Sequence, residues 1–181
     1  MKVIDMKKYI GLIFPLILPY VFLLGMGGIL FFDGKIIDEV FGNFPNFILL
    51  VIGIFLLALI ATIVTATLAV VRKWDGREIA KANMIVKLLQ IPAYILIFAE
   101  GVYFSLSMML LTPVAGMLFV LFDCAVVFMT GVIGAVAAAG CCREYGLDKK
   151  FAIILGIGQF IFCVDVVCAV LVFLSAGKSR S

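Results

Sequence analysis

The chain has 181 residues, of which 66% are hydrophobic and only 14% charged, with a net charge of +3, and its mean hydropathy is +1.31. Ordinary soluble domains carry about 25% charged residues, so these figures describe an integral membrane protein with room for one domain, residues 1–181. There is no histidine, which removes the commonest metal ligand and the neutral-pH general base and argues against a metalloenzyme or a nucleophile–histidine pair.

A polar arm, Met1 to Lys8, leads into an apolar run over 9–32. The run is long, lacks a small-residue cleavage site and is followed by further apolar runs, so it reads as a retained first helix rather than a cleaved leader. Pro15 and Pro19 lie four apart and fall on one helical face. Each removes a backbone donor, and in lipid the freed carbonyls need partners from neighbouring helices. The first helix is therefore expected to be kinked or partly unwound.

Asp33 to Asn46 forms a loop, and 47–71 a second span in which Thr62, Thr65 and Thr67 offer interhelical hydrogen bonds. A basic loop follows, with Arg72, Lys73, Arg77, Lys81 and Lys87 against Asp75 and Glu78. From Arg77 the pattern is helical again. It reads either as an interfacial helix bending inward near Pro92 or as one long helix with a cytoplasmic overhang, and Lys81 and Lys87 are expected to snorkel toward headgroups.

Met84 to Cys142 carries only three charges, Lys87, Glu100 and Asp123. A hydrocarbon core ~30 Å thick takes about 20 helical residues to cross, so this stretch makes two spans, near 84–110 and 113–140, broken at Thr112-Pro113. A short charged loop, Cys141 to Lys150, precedes a fifth span over 151–176 and a Lys178/Arg180 tail. The five cysteines, Cys124, Cys141, Cys142, Cys163 and Cys168, lie in or at the ends of apolar runs. Their odd number argues against a disulfide framework.

The expected architecture is all-α: five transmembrane helices, with six as the alternative. With the N-terminus cytoplasmic, 11 of the 14 Lys/Arg fall inside and 3 outside, namely Lys35, Lys178 and Arg180. That excess sets the N-terminus in and the C-terminus out. The basic tail left outside is the weak point of this topology.

Three carboxyls, Glu100, Asp123 and Asp165, lie in apolar sequence. At ~1.5 Å per residue, Asp123 falls near the midplane, Asp165 slightly beyond it, and Glu100 toward the outer side. A charge at mid-bilayer costs roughly 2.5–3.5 kcal/mol on insertion scales and normally faces the bundle interior. On this placement Lys87 sits near the inner face and no cation pairs with the acids; they read either as neutral acids hydrogen-bonded to neighbouring helices, with Glu100 reaching the interface, or as a shared pocket for a cation, a proton or a polar solute. Gln90, Gln159 and Asn83 supply amides that can bond between helices. The rows Gly131–Ala135–Ala139 and Gly134–Ala138 permit close helix approach. Paired intramembrane aspartates suggest aspartyl intramembrane proteases, but Leu121-Phe122-Asp123-Cys124 and Val164-Asp165-Val166 supply neither the Tyr-Asp nor the Gly-x-Gly-Asp setting. No phosphate-binding glycine loop and no nucleic-acid motif is present.

Three stretches, KANMIVKLLQIPAYILIF from Lys81, LFDCAVVFMTGVIG from Leu121 and ILGIGQFIFCVDVV from Ile154, together resemble a family of small multi-pass membrane proteins of Gram-positive bacteria with no assigned activity. The resemblance spans roughly Arg77 to Ala169 and implies a bacterial cytoplasmic membrane and no catalytic role. Within those stretches lie Asn83, Lys87, Gln90, Pro92, Asp123, Gln159 and Asp165. With Glu100 and the helix-shaping Pro15 and Pro19, they form the candidate site. No catalytic residue, metal or cofactor is assigned. The expected function is binding or passing a small solute or cation at the intramembrane carboxyls. A non-catalytic accessory subunit packing on a membrane-protein partner is the second reading, and an intramembrane enzyme the third.

Overall fold

The structure is a computed structural model that describes residues 10–32, 39, 42–106 and 112–178. The N-terminal arm, most of the first loop, the 107–111 approach to Thr112-Pro113 and the tail beyond 178 lie outside the described residues. Among the described residues the fold is all-α, with six helices: α1 (Ile10–Phe32), α2 (Phe44–Val71), α3 (Gly76–Leu106), α4 (Thr112–Tyr145), α5 (Lys149–Gly158) and α6 (Val164–Lys178). Three segments, Pro45–Val71, Gly76–Tyr103 and Phe119–Tyr145, are long and apolar enough to cross a membrane.

Helix α1 runs unbroken through Pro15 and Pro19, so the expected unwinding does not occur. The reason is local. Pro19 has no N–H to give the carbonyl four residues back, which is that of Pro15, and the Gln90 side-chain amide donates to that carbonyl at 2.8 Å. In the other direction the Tyr20 hydroxyl of α1 donates to the Leu89 carbonyl of α3, so side chains of each helix bond the backbone of the other.

Helix α2 starts at an Asn43 cap, whose side chain accepts from the Asn46 N–H at 2.9 Å. It ends in a tight turn through Lys73, at φ 48°. The Asp75 carboxylate then accepts from the backbone N–H of Arg77 (2.8 Å) and Glu78 (3.3 Å), satisfying orphan donors at a helix start. Helix α3 then runs without a break from Gly76 through Pro92 to Leu106, as the long-helix reading of the basic loop expects. The Gly76 N–H donates to Glu144 at 2.8 Å, and the Tyr145 hydroxyl reaches both Asp75 oxygens at 2.9 Å. A Cβ on Gly76 would fall 2.5 Å from the Gly140–Cys141 backbone. Helices α3 and α4 are thereby pinned antiparallel at one end, here called the basic end for its Arg72, Lys73, Arg77, Arg143, Lys149 and Lys150.

The expected fifth span is the main correction. Residues 151–176 are not one helix; α5 stops at Gly158, the chain turns through 159–163, and α6 begins at Val164. Helix α5 runs inward from the basic end against α4, with Gly156 beside Ala135 (3.9 Å for a built Cβ) and the Gln159 carbonyl over Gly131. Helix α6 then returns along α3. Asp165 meets Lys87, and farther on Phe173 lies under the Arg77 guanidinium at 5.7 Å, with Gly177 also beside Arg77. Both ends of the α5–α6 hairpin therefore lie at the basic end. At ~1.5 Å per residue, its arms are about 15 and 22 Å long, each too short to cross ~30 Å of hydrocarbon.

Two apolar clusters fill the bundle. Leu12, Ala69, Ile79, Ala80, Ala137, Cys141, Val172 and Ala176 belong to the one at the basic end. The other gathers Leu18, Ala58, Tyr94, Val126, Val127 and Met129. The polar site lies between them.

Candidate functional site

One face of α3 carries Asn83, Lys87, Gln90 and Tyr94, spaced four, three and four residues apart, so they form a single stripe down the helix. All four are buried, Lys87 and Gln90 completely. The stripe meets the hairpin tip through Asn83 and Lys87 and α1 through Gln90, and Tyr94 packs edge-on against Phe162 of the tip at 5.6 Å.

At the tip, the Lys87 ammonium donates to Asp165 Oδ2 at 2.6 Å and to the Gln159 carbonyl at 3.4 Å. Both side chains of this ion pair are 0% exposed. The expectation that the acids have no basic companion is therefore wrong. Helix α3 begins at Gly76, which puts Lys87 about 16 Å along it rather than at its edge. The turn after Gly158 leaves Asp165 at that same depth. The one cation then ties the two arms of the hairpin to α3.

The local backbone explains why the pair sits there. Gln159 is at the C-terminal end of α5, where carbonyls lack helical donors, and Asp165 is in the first turn of α6, where a negative charge faces free N–H groups. The last turns of α5 tighten, with Gln159, Phe160 and Ile161 N–H groups bonding three residues back. Cys163 closes the turn at φ 66°, a left-handed conformation that costs a non-glycine residue about 1–3 kcal/mol. Helix α4 makes room. A Cβ on Gly134 would lie 2.4 Å from the Gln159 side-chain oxygen, and one on Gly131 2.7 Å from its carbonyl. The small-residue rows of α4 thus receive the chain's own hairpin.

Asn83 Nδ2 donates to Gln159 Oε1 at 3.3 Å. Three buried atoms at the tip have no hydrogen-bond partner among the described residues, Asn83 Oδ1, Gln159 Nε2 and Asp165 Oδ1, and Asp123 Oδ1, farther along α4, has none either. Asp123, on α4, is 6% exposed and lies close enough to Asp165 for their charges to interact. Tyr94 is within electrostatic reach of both acids. Glu100 is only half-buried, with Oε2 unpartnered, and nothing in its contacts ties it to the tip.

Gln90 and Tyr94 form the other half of the stripe. Tyr94 donates to Gln90 Oε1 at 3.0 Å while Gln90 donates to the Pro15 carbonyl. Tyr94 is not among the candidates the sequence offers, although its spacing of four from Gln90 marks it as part of the stripe. The signal for the hairpin is the basic residues on both sides of 151–176.

Lys87 and Asp165 compensate each other, so any charge carried by Asp123 is a surplus negative one, which would favour a cation over an anion. All five cysteines are free thiols, and no cluster of metal-binding side chains occurs among the described residues. No protein-family model, curated protein or solved structure matches this chain.

Proposed function

We propose that the chain is a multi-pass protein of a bacterial cytoplasmic membrane that binds and passes a small cation or polar solute at the tip of the α5–α6 hairpin. In this reading α1 to α4 cross the bilayer, and α5–α6 enters from the cytoplasmic side and returns to it. Both termini are then cytoplasmic. Of the 14 Lys/Arg, Lys87 is buried and Lys35 lies in the first loop, which leaves 12 on the cytoplasmic side. The positive-inside bias supports this topology better than five crossings, because Lys178 and Arg180 no longer fall outside.

The observation that carries the functional reading is the pair of unpartnered buried oxygens, Asp165 Oδ1 and Asn83 Oδ1, beside the break of the hairpin, with a third, Asp123 Oδ1, on a carboxyl within charge-interaction range of Asp165. Buried polar groups are nearly always satisfied, and ionisable groups inside membranes mark solute and ion paths. Broken helices recur at such sites because their ends present free carbonyls and N–H groups. A non-catalytic accessory subunit packing on a membrane-protein partner is the second reading; Gly131, Gly134 and Ala135 of the small-residue rows are taken up by the hairpin, while Ala139 stays exposed.

Uptake of radiolabelled sodium and rubidium into proteoliposomes tests the reading. Uptake above that of protein-free vesicles, abolished by Asp123→Asn, is expected; uptake equal to that of empty vesicles for both ions removes cation passage. Green fluorescent protein and alkaline phosphatase fused to the C-terminus test the topology: fluorescence without phosphatase activity is expected, and the converse restores a fifth crossing.

A further inference from the structure

The Lys87 ammonium stands where a free cation would. It is held by a carboxylate oxygen and a helix-end carbonyl, Asp165 Oδ2 and Gln159 O, the ligand types that carry small monovalent ions at broken membrane helices. Two further acceptors, Asp165 Oδ1 and Asn83 Oδ1, are buried beside it and unpartnered. Asn83 precedes Lys87 by four residues and so shares its helical face.

We propose that Lys87 is the built-in competitor of this site, and that a free monovalent cation and the lysine proton exchange for one another there. This deepens the cation reading above and rests on it. In the exchange one N–H bond of the ammonium breaks, its electron pair stays on Nζ, and the proton leaves to water. The incoming cation takes Asp165 Oδ2 and the Gln159 carbonyl and adds Asp165 Oδ1 and Asn83 Oδ1. One positive charge replaces another, so the buried site keeps its net charge throughout. Lysine suits the role where arginine would not, because a guanidinium stays protonated in proteins whereas a buried ammonium can release its proton. The groups facing Lys87 are Asp165 and Cys168 from α6 and the Gln159 carbonyl from α5. Asp123 on α4 interacts with Asp165, and Tyr94 lies on the same helix as Lys87. The first-turn position of Asp165 leaves its carboxylate in the favourable field of the α6 N-terminus once the ammonium is gone.

The test uses the purified full chain in detergent, weakly buffered at mildly alkaline pH, with NaCl, LiCl or KCl added against choline chloride as a bulky control. Bound cation and released protons are measured together. About one proton should be released per cation bound, and apparent affinity should rise roughly tenfold per pH unit, because a proton must leave for the cation to enter. Lys87→Met should bind the same cation about tenfold more tightly near neutral pH, without proton release or pH dependence. Cation binding by the wild type without proton release overturns the exchange and leaves the cation reading standing. Failure of the folded wild type to bind any of the three overturns both. The wild-type stoichiometry decides the matter even where Lys87→Met folds poorly.

Discussion

Two polar clusters share one face of α3 a single turn apart, and they are built to opposite rules. Around Gln90, Pro19 frees the Pro15 carbonyl, Gln90 takes it, and Tyr94 takes the remaining Gln90 oxygen. Around Lys87 the groups are charged, and the bonding stops short: Lys87 and Asp165 are paired, while oxygens of Asp165, Asn83 and Asp123 and the Gln159 amide are left over. A closed neutral knot holds two helices together. An open charged one stores interactions that a ligand can complete, and buried polar groups half-satisfied in this way are costly unless something uses them.

The largest effect that would sharpen the contrast comes from Lys87. Lys87→Met leaves the Asp165 carboxylate buried without its partner, and breaking a buried pair from one side costs about 3–5 kcal/mol. Adding Asp165→Leu removes the stranded charge and should recover most of that loss. Unfolding in mixed detergent reads both. A double variant as damaged as the single one would mean that the pair is a structural keystone, and the open cluster would lose its distinction.

Next comes the seat of the hairpin tip. Gly134→Val places carbon where only 2.4 Å separates a Cβ from Gln159, and overpacking of this kind costs about 1–3 kcal/mol. Gln159→Ala in the same chain should relieve part of it, because the obstructing side chain is gone. If Gly134→Val has no effect on the melting temperature, the hairpin does not rest on α4 as closely as described.

The closed cluster invites a cycle. Gln90→Leu strands the Pro15 carbonyl and the Tyr94 hydroxyl, at a cost of about 1–3 kcal/mol. Pro19→Ala restores the helix's own donor to that carbonyl, so Gln90→Leu should cost less in its presence, with a coupling of at least about 0.5 kcal/mol. Strict additivity would mean that Gln90 is not repairing the proline.

How much of this was legible beforehand differs between the same two clusters. The proline pair, its freed carbonyls and the need for a neighbouring donor follow from residue chemistry, and Gln90 was among the candidate donors. The helical class and the three long apolar helices also follow from composition and run length. The hairpin does not, because the 26 residues over 151–176, apolar apart from Gln159, Asp165 and Ser175, satisfy the length rule for one crossing as well as for two half-crossings. Only Gly156, Gly158 and Gln159 in mid-run, with basic residues on both flanks, distinguish the cases. The error over Lys87 followed from that one: with 151–176 drawn straight through and Lys87 drawn at the edge, Asp165 could not be matched to it.

The smallest expected effect on stability belongs to Asp123, and it bears most directly on the open cluster. Asp123→Asn keeps the shape of the side chain, and Oδ1 has no partner to lose. It also removes one of two carboxylates that interact with each other, so stability should change by less than about 1 kcal/mol, the scale of one ordinary hydrogen bond. Cation binding should respond differently. Deleting the surplus negative charge that Asp123 can carry should weaken it at least tenfold, which is about 1.4 kcal/mol, far more than the fold notices. Equilibrium dialysis and thermal unfolding on the same preparation separate the two quantities. A large loss of stability with unchanged binding would place Asp123 in the scaffold, and the tip would then be as closed a structure as the proline knot beside it.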